Sequence, residues 1–344
     1  MDNPFVQLDN DSSGFMRASV IAAMAELDVA TAILILGNSA TSAQIAKECG
    51  SDDRGMEVLL DALVALGYFF KSGTGTTAKY AVVPQYTSLL DSREAASYVP
   101  MLRHRARLQR HWSRLSWAVK EGKPQKEKAA SFLGEAQDGV SFITAMNTIA
   151  LRLAAKTMED LNKAGLFDSL PSDAKILDIG GASGTYTEAF LRRMPHATAT
   201  IFDLPAGIAE AKDRFEYSNM GPRVQLLEGD FTKRGFPAGF DFAWISAIIH
   251  QLGREECRIL FRKALDALKP GAMVAIRDFV MDAGRTSPEA GTLFGINMLV
   301  STAQGRVYTF DEISSDLSAS GFHNVAHAVN EPTMSAVVTA RKPQ

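Results

Sequence analysis

Apolar residues in the first hundred positions recur at helical spacing, and each run is bracketed by residues suited to start and end a helix. Thr41 stands before Ser42-Ala43-Gln44-Ile45-Ala46 with Gln44 as its capping-box partner, so a helix starts there and stops at Gly50. A second begins at Asp52-Asp53, carries Met56, Leu59, Leu60, Leu63 and Leu66, and closes on Gly67. Phe69-Phe70 and Tyr80-Ala81-Val82-Val83 flank Ser72-Gly73-Thr74-Gly75-Thr76, the pattern of a hairpin with a flexible turn. Helix, helix, hairpin is the order of a winged helix. Upstream, apolar helices from Phe15 to Leu36 would stand exposed unless another surface covers them.

From Met101 to Lys128 the chain carries nine Lys/Arg and two Glu, with His104, His111, Trp112, Leu115 and Trp117 interleaved. This reads as a helix with a solvated basic face, or as a rim that attracts an anionic substrate. Gly122-Lys123-Pro124 ends it, Lys126 to Gln137 reads as loop, and Phe142 to Ala164 is helical again, closed by Gly165. After Pro171 short apolar runs alternate with helical segments, the signature of βαβ units around a parallel sheet. Lys175–Ile179 is a strand, Gly180–Gly184 a tight turn, Thr185–Met194 a helix, and Thr198–Phe202 a strand that ends in Asp203. The expected organisation is a winged-helix-like domain over 1–100, a helical linker contributing to a substrate pocket over 101–165, and an α/β domain over 166–344.

Composition narrows the classes. With 46% apolar and 22% charged residues in 344, the chain can fold by burial alone. A formal charge of −3 provides no field for nucleic acid or anionic lipid, and Asp52, Asp53, Glu57 and Asp61 against Arg54 make the would-be recognition helix acidic. Packing or dimerisation is the expected use of that domain, with no nucleic-acid partner. Cys49 and Cys257 lie far apart without metal-site spacing, so neither a disulfide nor a metal is expected. The first residues lack a basic leader, and Glu26 and Asp28 interrupt the tract from Val20 to Leu36, so a cytoplasmic protein without a membrane partner is expected.

The glycine-rich turn implies close approach of backbone to a ligand, and Asp203 at the end of the next strand can accept from ribose hydroxyls. A nucleoside-containing cofactor follows. The frames from Gly180 and Gly181 both fail the dinucleotide spacing, and no Gly-Lys-[Ser/Thr] follows the turn. What remains, Asp178-x-Gly-Gly-Ala-Ser-Gly184, is close to the first motif of class I S-adenosylmethionine-dependent methyltransferases. Asp203, Glu228-Gly229-Asp230-Phe231 and the strand Phe240–Ile245 follow in order. Gly180 and Gly184 leave room for the methionine moiety, Asp203 meets the ribose, and Asp230-Phe231 the adenine edge and face. Gly181, Leu204 and Ser246 complete the candidate cofactor set.

From about Gly14 to the C-terminus the chain resembles the plant-type and bacterial natural-product O-methyltransferases, the group of caffeate, hydroxyindole and anthracycline enzymes. The resemblance rests on the winged-helix-like start, Trp112 to Pro124, Phe142-x-x-x-Met146, Leu177 to Gly184, Phe202-Asp203-Leu204-Pro205 and Gly229-Asp230-Phe231. It continues through Ile248-Ile249-His250, Ala267-Leu268-Lys269-Pro270-Gly271, Asn297-Met298-Leu299 and Tyr308-Thr309. It implies a doubly wound, Rossmann-like α/β methyltransferase domain behind a mostly helical dimerisation domain, a homodimer, and a small-molecule acceptor. His250 matches the family's general base. Departures are Gln251-Leu252 in place of Asp-Trp after the histidine, Ala182 in place of glycine, and Val307 in place of the family's carboxylate.

Asp278 is the candidate substitute partner for His250, and Arg277 is expected to bind a substrate carboxylate or to pair with Asp278. Phe142, Met146, Phe294 and Met298 are expected to line an apolar pocket with Asn297 as its polar handle. The expected activity is O-methylation of a phenolic or similarly acidic hydroxyl, yielding S-adenosylhomocysteine. Sulfur or carbon methylation on the same fold, or a non-catalytic cofactor-binding or winged-helix regulatory protein, are the alternatives.

Overall fold

The computed structural model describes residues 3–125 and 132–344, which divide into two compact units. The first comprises residues up to His111 together with the stretch ending at Thr148, and the second the remainder.

The first unit opens with α1 (Pro4–Glu26), α2 (Val29–Ile35), α3 (Ser42–Glu48) and α4 (Asp53–Ala65). α1 starts eleven residues before the expected apolar run, because Asn3 caps it, its side chain accepting from the Phe5 amide at 3.0 Å, and Pro4 fits the first turn. The Thr41 box forms as expected: the Gln44 amide donates to Thr41 Oγ1 at 3.3 Å and the Thr41 amide to Gln44 Oε1 at 2.9 Å. Strands β1 (Phe69–Ser72) and β2 (Lys79–Val82) pair antiparallel, with Phe69 opposite Val82. Met24, Ile33, Ile45, Met56, Leu60, Leu63, Phe69 and Tyr80 form the core. Asp61 accepts from Tyr80 Oη at 2.8 Å and pairs with Lys71 at 2.6 Å, so one acidic residue of α4 clamps that helix to the hairpin. Phe5, Leu8, Phe15 and Met16 of α1 stay exposed.

Next come α5 (Thr87–Leu90), α6 (Val99–Trp112), α7 (Leu115–Glu121) and α8 (Glu135–Lys163). The basic stretch is thus two helices, not one, and α8 begins at Glu135, inside the segment expected to be loop. Residues 126–131 of that expected loop lie outside the described residues.

The second unit is built on β3 (Lys175–Ile179), α9 (Thr185–Arg193), β4 (Thr198–Asp203), α10 (Pro205–Glu216), β5 (Val224–Glu228), β6 (Phe240–Ser246), α11 (Arg254–Ala267) and β7 (Leu268–Asp278). The chain ends with β8 (Val280–Met281), α12 (Glu289–Ser301), β9 (Tyr308–Thr309), α13 (Phe310–Ala319), β10 (His323–Val329) and β11 (Ala336–Arg341). The seven-stranded sheet has the order β10-β11-β7-β6-β3-β4-β5, parallel from β7 to β5 and antiparallel at β11 and β10. Helices cover both faces, so β3 reads as an apolar run and not as an alternation. Leu177, Ile179, Phe202, Ile245 and Phe261 pack on one side, while Ile176, Phe190, Phe242 and Trp244 pack on the other. The chain leaves β3 toward β4 and β5, then returns on the other side of β3 as β6. Ligands of doubly wound sheets bind at such a switch, beyond the carboxyl ends of the strands.

No single helix among the described residues is long and apolar enough to cross a membrane, although α1 and α2, bent by 48°, pass that test as a pair by length and composition.

Candidate active site

The turn after β3 is held in backbone conformations that favour glycine. Gly180 and Gly184 have φ of +71° and +75°, and a Cβ on Gly184 would lie 2.6 Å from the Phe215 ring. A Cβ on Gly181 would meet the Asp178 carboxyl group at 2.7 Å. Asp178 is fully buried, accepts from Thr187 Oγ1 at 2.6 Å, and is pushed up to about 7 by burial. Sequence reasoning quoted Asp178 in the motif but gave it no role; its place directly under the turn makes it the strut of that loop. Ala182, where the motif has glycine, also sits left-handed at φ +46°, and its amide donates to Asp203 Oδ2 at 2.7 Å. Asp203 Oδ1 accepts from the Leu204 amide at 2.6 Å, and burial raises its pKa. The turn and the carboxylate that would meet a ribose are therefore one hydrogen-bonded assembly. Leu204 is exposed at the start of α10.

Asp230 follows β5. Its Oδ1 accepts from the Thr232 amide at 2.9 Å and hydroxyl at 2.6 Å, and Lys233 approaches Oδ2 at 3.1 Å. The Thr232 hydroxyl, the Thr232 amide and Lys233 hold this carboxyl at about 2. It serves a local turn, with lone pairs left for a ligand. The carbonyl of Phe231 accepts from Lys263 Nζ at 2.6 Å while its ring packs against the sheet.

His250 lies in a short 3₁₀ turn beyond β6, and Asp278 ends the adjacent β7. Both Asp278 oxygens lie 2.9 Å from His250 Nδ1, and Oδ1 also accepts from the Phe279 amide at 2.8 Å. The histidine is 6% exposed and the aspartate 1%, so water does not screen the pair. A carboxylate on Nδ1 fixes the proton there and leaves Nε2 with its lone pair. Nε2 has no protein partner among the described residues. Phe294 of α12 meets the imidazole edge to face at 4.8 Å. Val307 is buried, and its contact here is a backbone one, its carbonyl accepting from Arg285 Nη1 at 3.2 Å.

Arg277 departs from one of its two expectations. It does not pair with Asp278: neighbours in a strand project to opposite faces, and Arg277 Nη1 instead donates to Ser246 Oγ at 3.2 Å. Its guanidinium lies 5.1 Å from the centroid of Tyr186, whose ring is 5.6 Å from Trp244. Neither aromatic residue was singled out from the sequence, since both occupy positions that read as plain core. Asn297 Oδ1 accepts from Trp112 Nε1 at 3.1 Å, so half of the expected polar handle is engaged. Met298 is buried and Phe294 half-buried. Phe142 and Met146 belong to the first unit, where Phe142 packs its ring 5.1 Å from His104. Among the described residues no His, Cys, Asp or Glu cluster is placed to hold a metal ion.

A glycine cradle with an adjoining carboxylate, and a histidine with a free Nε2 one strand away, fit a nucleoside donor and an acceptor that must lose a proton. Comparison with known proteins gives the family. Residues 112–323 match the O-methyltransferase domain, and residues 11–90 match the O-methyltransferase dimerisation domain. Acetylserotonin O-methyltransferase of Gallus gallus is 28% identical over 327 residues, covering 91% of each chain. The tetracenomycin polyketide synthesis 8-O-methyl transferase of Streptomyces glaucescens is 29% identical over 336 residues, 96% of this chain and 94% of that one. In fold, the crystal structure of human N-acetylserotonin methyltransferase in complex with SAM superposes with a TM-score of 0.83 at 23% identity, covering 100% and 99% of the two chains. The dimerisation match indicates a homo-oligomer, and the larger match a small-molecule acceptor. The chain belongs to the O-methyltransferase family, S-adenosylmethionine-dependent enzymes that act on hydroxyl groups of small molecules.

Proposed function

We propose that the acceptor is a small aromatic compound whose phenolic hydroxyl gives its proton to His250 Nε2. The curated relatives support an aromatic acceptor, since their names specify acetylserotonin and a hydroxynaphthoate, the latter in Streptomyces sahachiroi. The observation that carries the reading is the bidentate approach of Asp278 to His250 Nδ1 at 2.9 Å, which leaves Nε2 as the proton acceptor. S-adenosylmethionine supplies an electrophilic methyl group when bound, with Gly180, Gly181, Gly184, Asp203, Leu204, Asp230, Phe231 and Ser246 as the residues that would hold it. The methyl carbon would be released from sulfur to the acceptor oxygen, the carbon–sulfur electron pair staying on the departing S-adenosylhomocysteine, while the acceptor's O–H electrons would stay on oxygen and its proton would pass to His250 Nε2. Asp278 stabilises the imidazolium so formed. Phe294 and Met298 present apolar surface suited to an aromatic ring, and the free amide of Asn297 can orient it.

The test is turnover of a panel of phenols by wild type, His250→Ala and His250→Gln across pH. Loss of turnover in both variants with S-adenosylhomocysteine binding retained is the expected result. Unchanged rates in both would remove His250 from proton transfer.

A further inference from the structure

Six buried polar side-chain atoms of the second unit have no hydrogen-bond partner among the described residues, and four of these lie close together: Arg277 Nε, Trp244 Nε1, Tyr186 Oη and Thr157 Oγ1. They belong to one cluster. Arg277 lies over the Tyr186 ring, Tyr186 packs on Trp244, and the Thr157 and Tyr186 hydroxyls neighbour each other. All four atoms can donate, and the guanidinium and indole can do nothing else. Arg277 is 3% exposed and has no carboxylate within ion-pair distance among the described residues; its one hydrogen bond goes to the neutral Ser246 hydroxyl. A buried cation without a counter-ion is strongly unfavourable, as are buried donors left unpaired. Donors of this kind beside an uncompensated positive charge suit an anion.

Its position says which anion. Ile179 pairs with Ile245 and Ser246 with Arg277, so the glycine turn starting at Gly180, the Ser246 hydroxyl and the Arg277 guanidinium form one row across the carboxyl ends of β3, β6 and β7. Tyr186 stands in the first turn of α9, two residues after Gly184. Arg277 therefore projects to the side of the sheet from which the glycine turn enters its helix, whereas Asp278 turns the other way, to His250. We propose that the Arg277, Tyr186, Trp244 and Thr157 cluster receives the carboxylate of the methionine part of S-adenosylmethionine, with Arg277 as its counter-ion. The proposal rests on the cofactor reading above and reassigns Arg277 from the acceptor to the methyl donor.

The experiment is calorimetric titration of the full-length protein with S-adenosylhomocysteine and with its decarboxylated analogue, which keeps the amine. Wild type should bind the carboxylate-bearing ligand about 10- to 150-fold more tightly, the range of a charge-assisted hydrogen bond. Arg277→Met should lose about that factor for S-adenosylhomocysteine and bind the analogue as wild type does. Arg277→Lys should recover part of the loss. Equal affinity of wild type for the two ligands overturns the proposal whether or not any variant folds. Equal weakening of both ligands by Arg277→Met also overturns it, as a structural role would produce. Failure of wild type to bind either ligand would overturn the cofactor reading with it.

Discussion

Replacing Asp278 with asparagine preserves shape and removes only the charge and the second acceptor oxygen. In the wild-type chain both oxygens reach His250 Nδ1 at 2.9 Å, and the Phe279 amide anchors Oδ1 at 2.8 Å. An asparagine that keeps its oxygen toward the Phe279 amide turns its NH₂ group to Nδ1. Nδ1 then faces one acceptor and one donor in place of two acceptors, so the tautomer with its proton on Nε2, which can no longer accept, becomes accessible. Since the side chains are 8% and 1% exposed, no solvent discount applies to the lost interaction. A charge-assisted hydrogen bond between buried groups contributes about 1.5–3 kcal/mol, and each 1.4 kcal/mol is tenfold, so kcat should fall about 10- to 150-fold. Affinity for S-adenosylhomocysteine should change less than about threefold, because Asp278 faces the acceptor-side base. Two assays check this together: methyl transfer from labelled cofactor to the best phenol of the panel, and ¹⁵N spectra of the imidazole. The spectra should show Nδ1–H in wild type and a shift toward Nε2–H in the variant. Undiminished kcat in Asp278→Asn alongside an inactive His250→Ala would refute the positioning role, and so would an unaltered tautomer.

Two further outcomes follow from the cofactor turn. Ala182 at φ +46° bears the left-handed penalty of about 1–2 kcal/mol that glycine escapes, partly offset by glycine's freedom in the unfolded chain, so Ala182→Gly should stabilise the protein by about 0.5–1 kcal/mol. A higher denaturant midpoint at unchanged slope is the expected signature, and a lower midpoint would contradict it. Asp178 titrates at 3.8 when unfolded and about 7 when buried, so the folded chain holds the extra proton between those values. Its contribution to stability is full below about pH 4, declines as pH rises to about 7 and levels off above, with about 4 kcal/mol as the ceiling. Asp178→Asn keeps an acceptor for the Thr187 hydroxyl and has no such proton to lose. Its stability should be flatter across that window, and superimposable profiles would show that another group is responsible.

The parts legible in the sequence were those set by local chemistry or by strict periodicity. The Thr41–Gln44 box needs only residues three apart, and it formed as read. The parallel strands were legible because both faces are covered, which turns them into short apolar runs. Helix starts set in polar stretches are harder to read: Asn3 caps α1 among aspartates that resemble a solvated tail, and α8 begins at Glu135 in a polar stretch that resembles loop. The pairing of His250 with Asp278 joins residues 28 apart and was reachable only through the resemblance, whereas the geometry needs the register of β6 against β7. That same register, with strand alternation, forbids the Arg277–Asp278 contact, a conclusion available from the sequence had the alternation been applied to the strand's last two residues. Tyr186 and Trp244 escaped notice because their polar atoms ride on rings that satisfy every test for core.

The exposed rings of α1 bear on how any of these measurements is made. Phe15 and Met16 lie inside the stretch matched to the dimerisation domain, and apolar surface of this kind is what association removes from water. For a chain that associates with copies of itself, concentration is a thermodynamic variable on the same footing as temperature or denaturant. Unfolding midpoints then climb with the logarithm of protein concentration, and a turnover number obtained from highly diluted enzyme describes a different mixture of species than a titration at calorimetric concentration. Dilution thus probes this molecule as directly as any substitution.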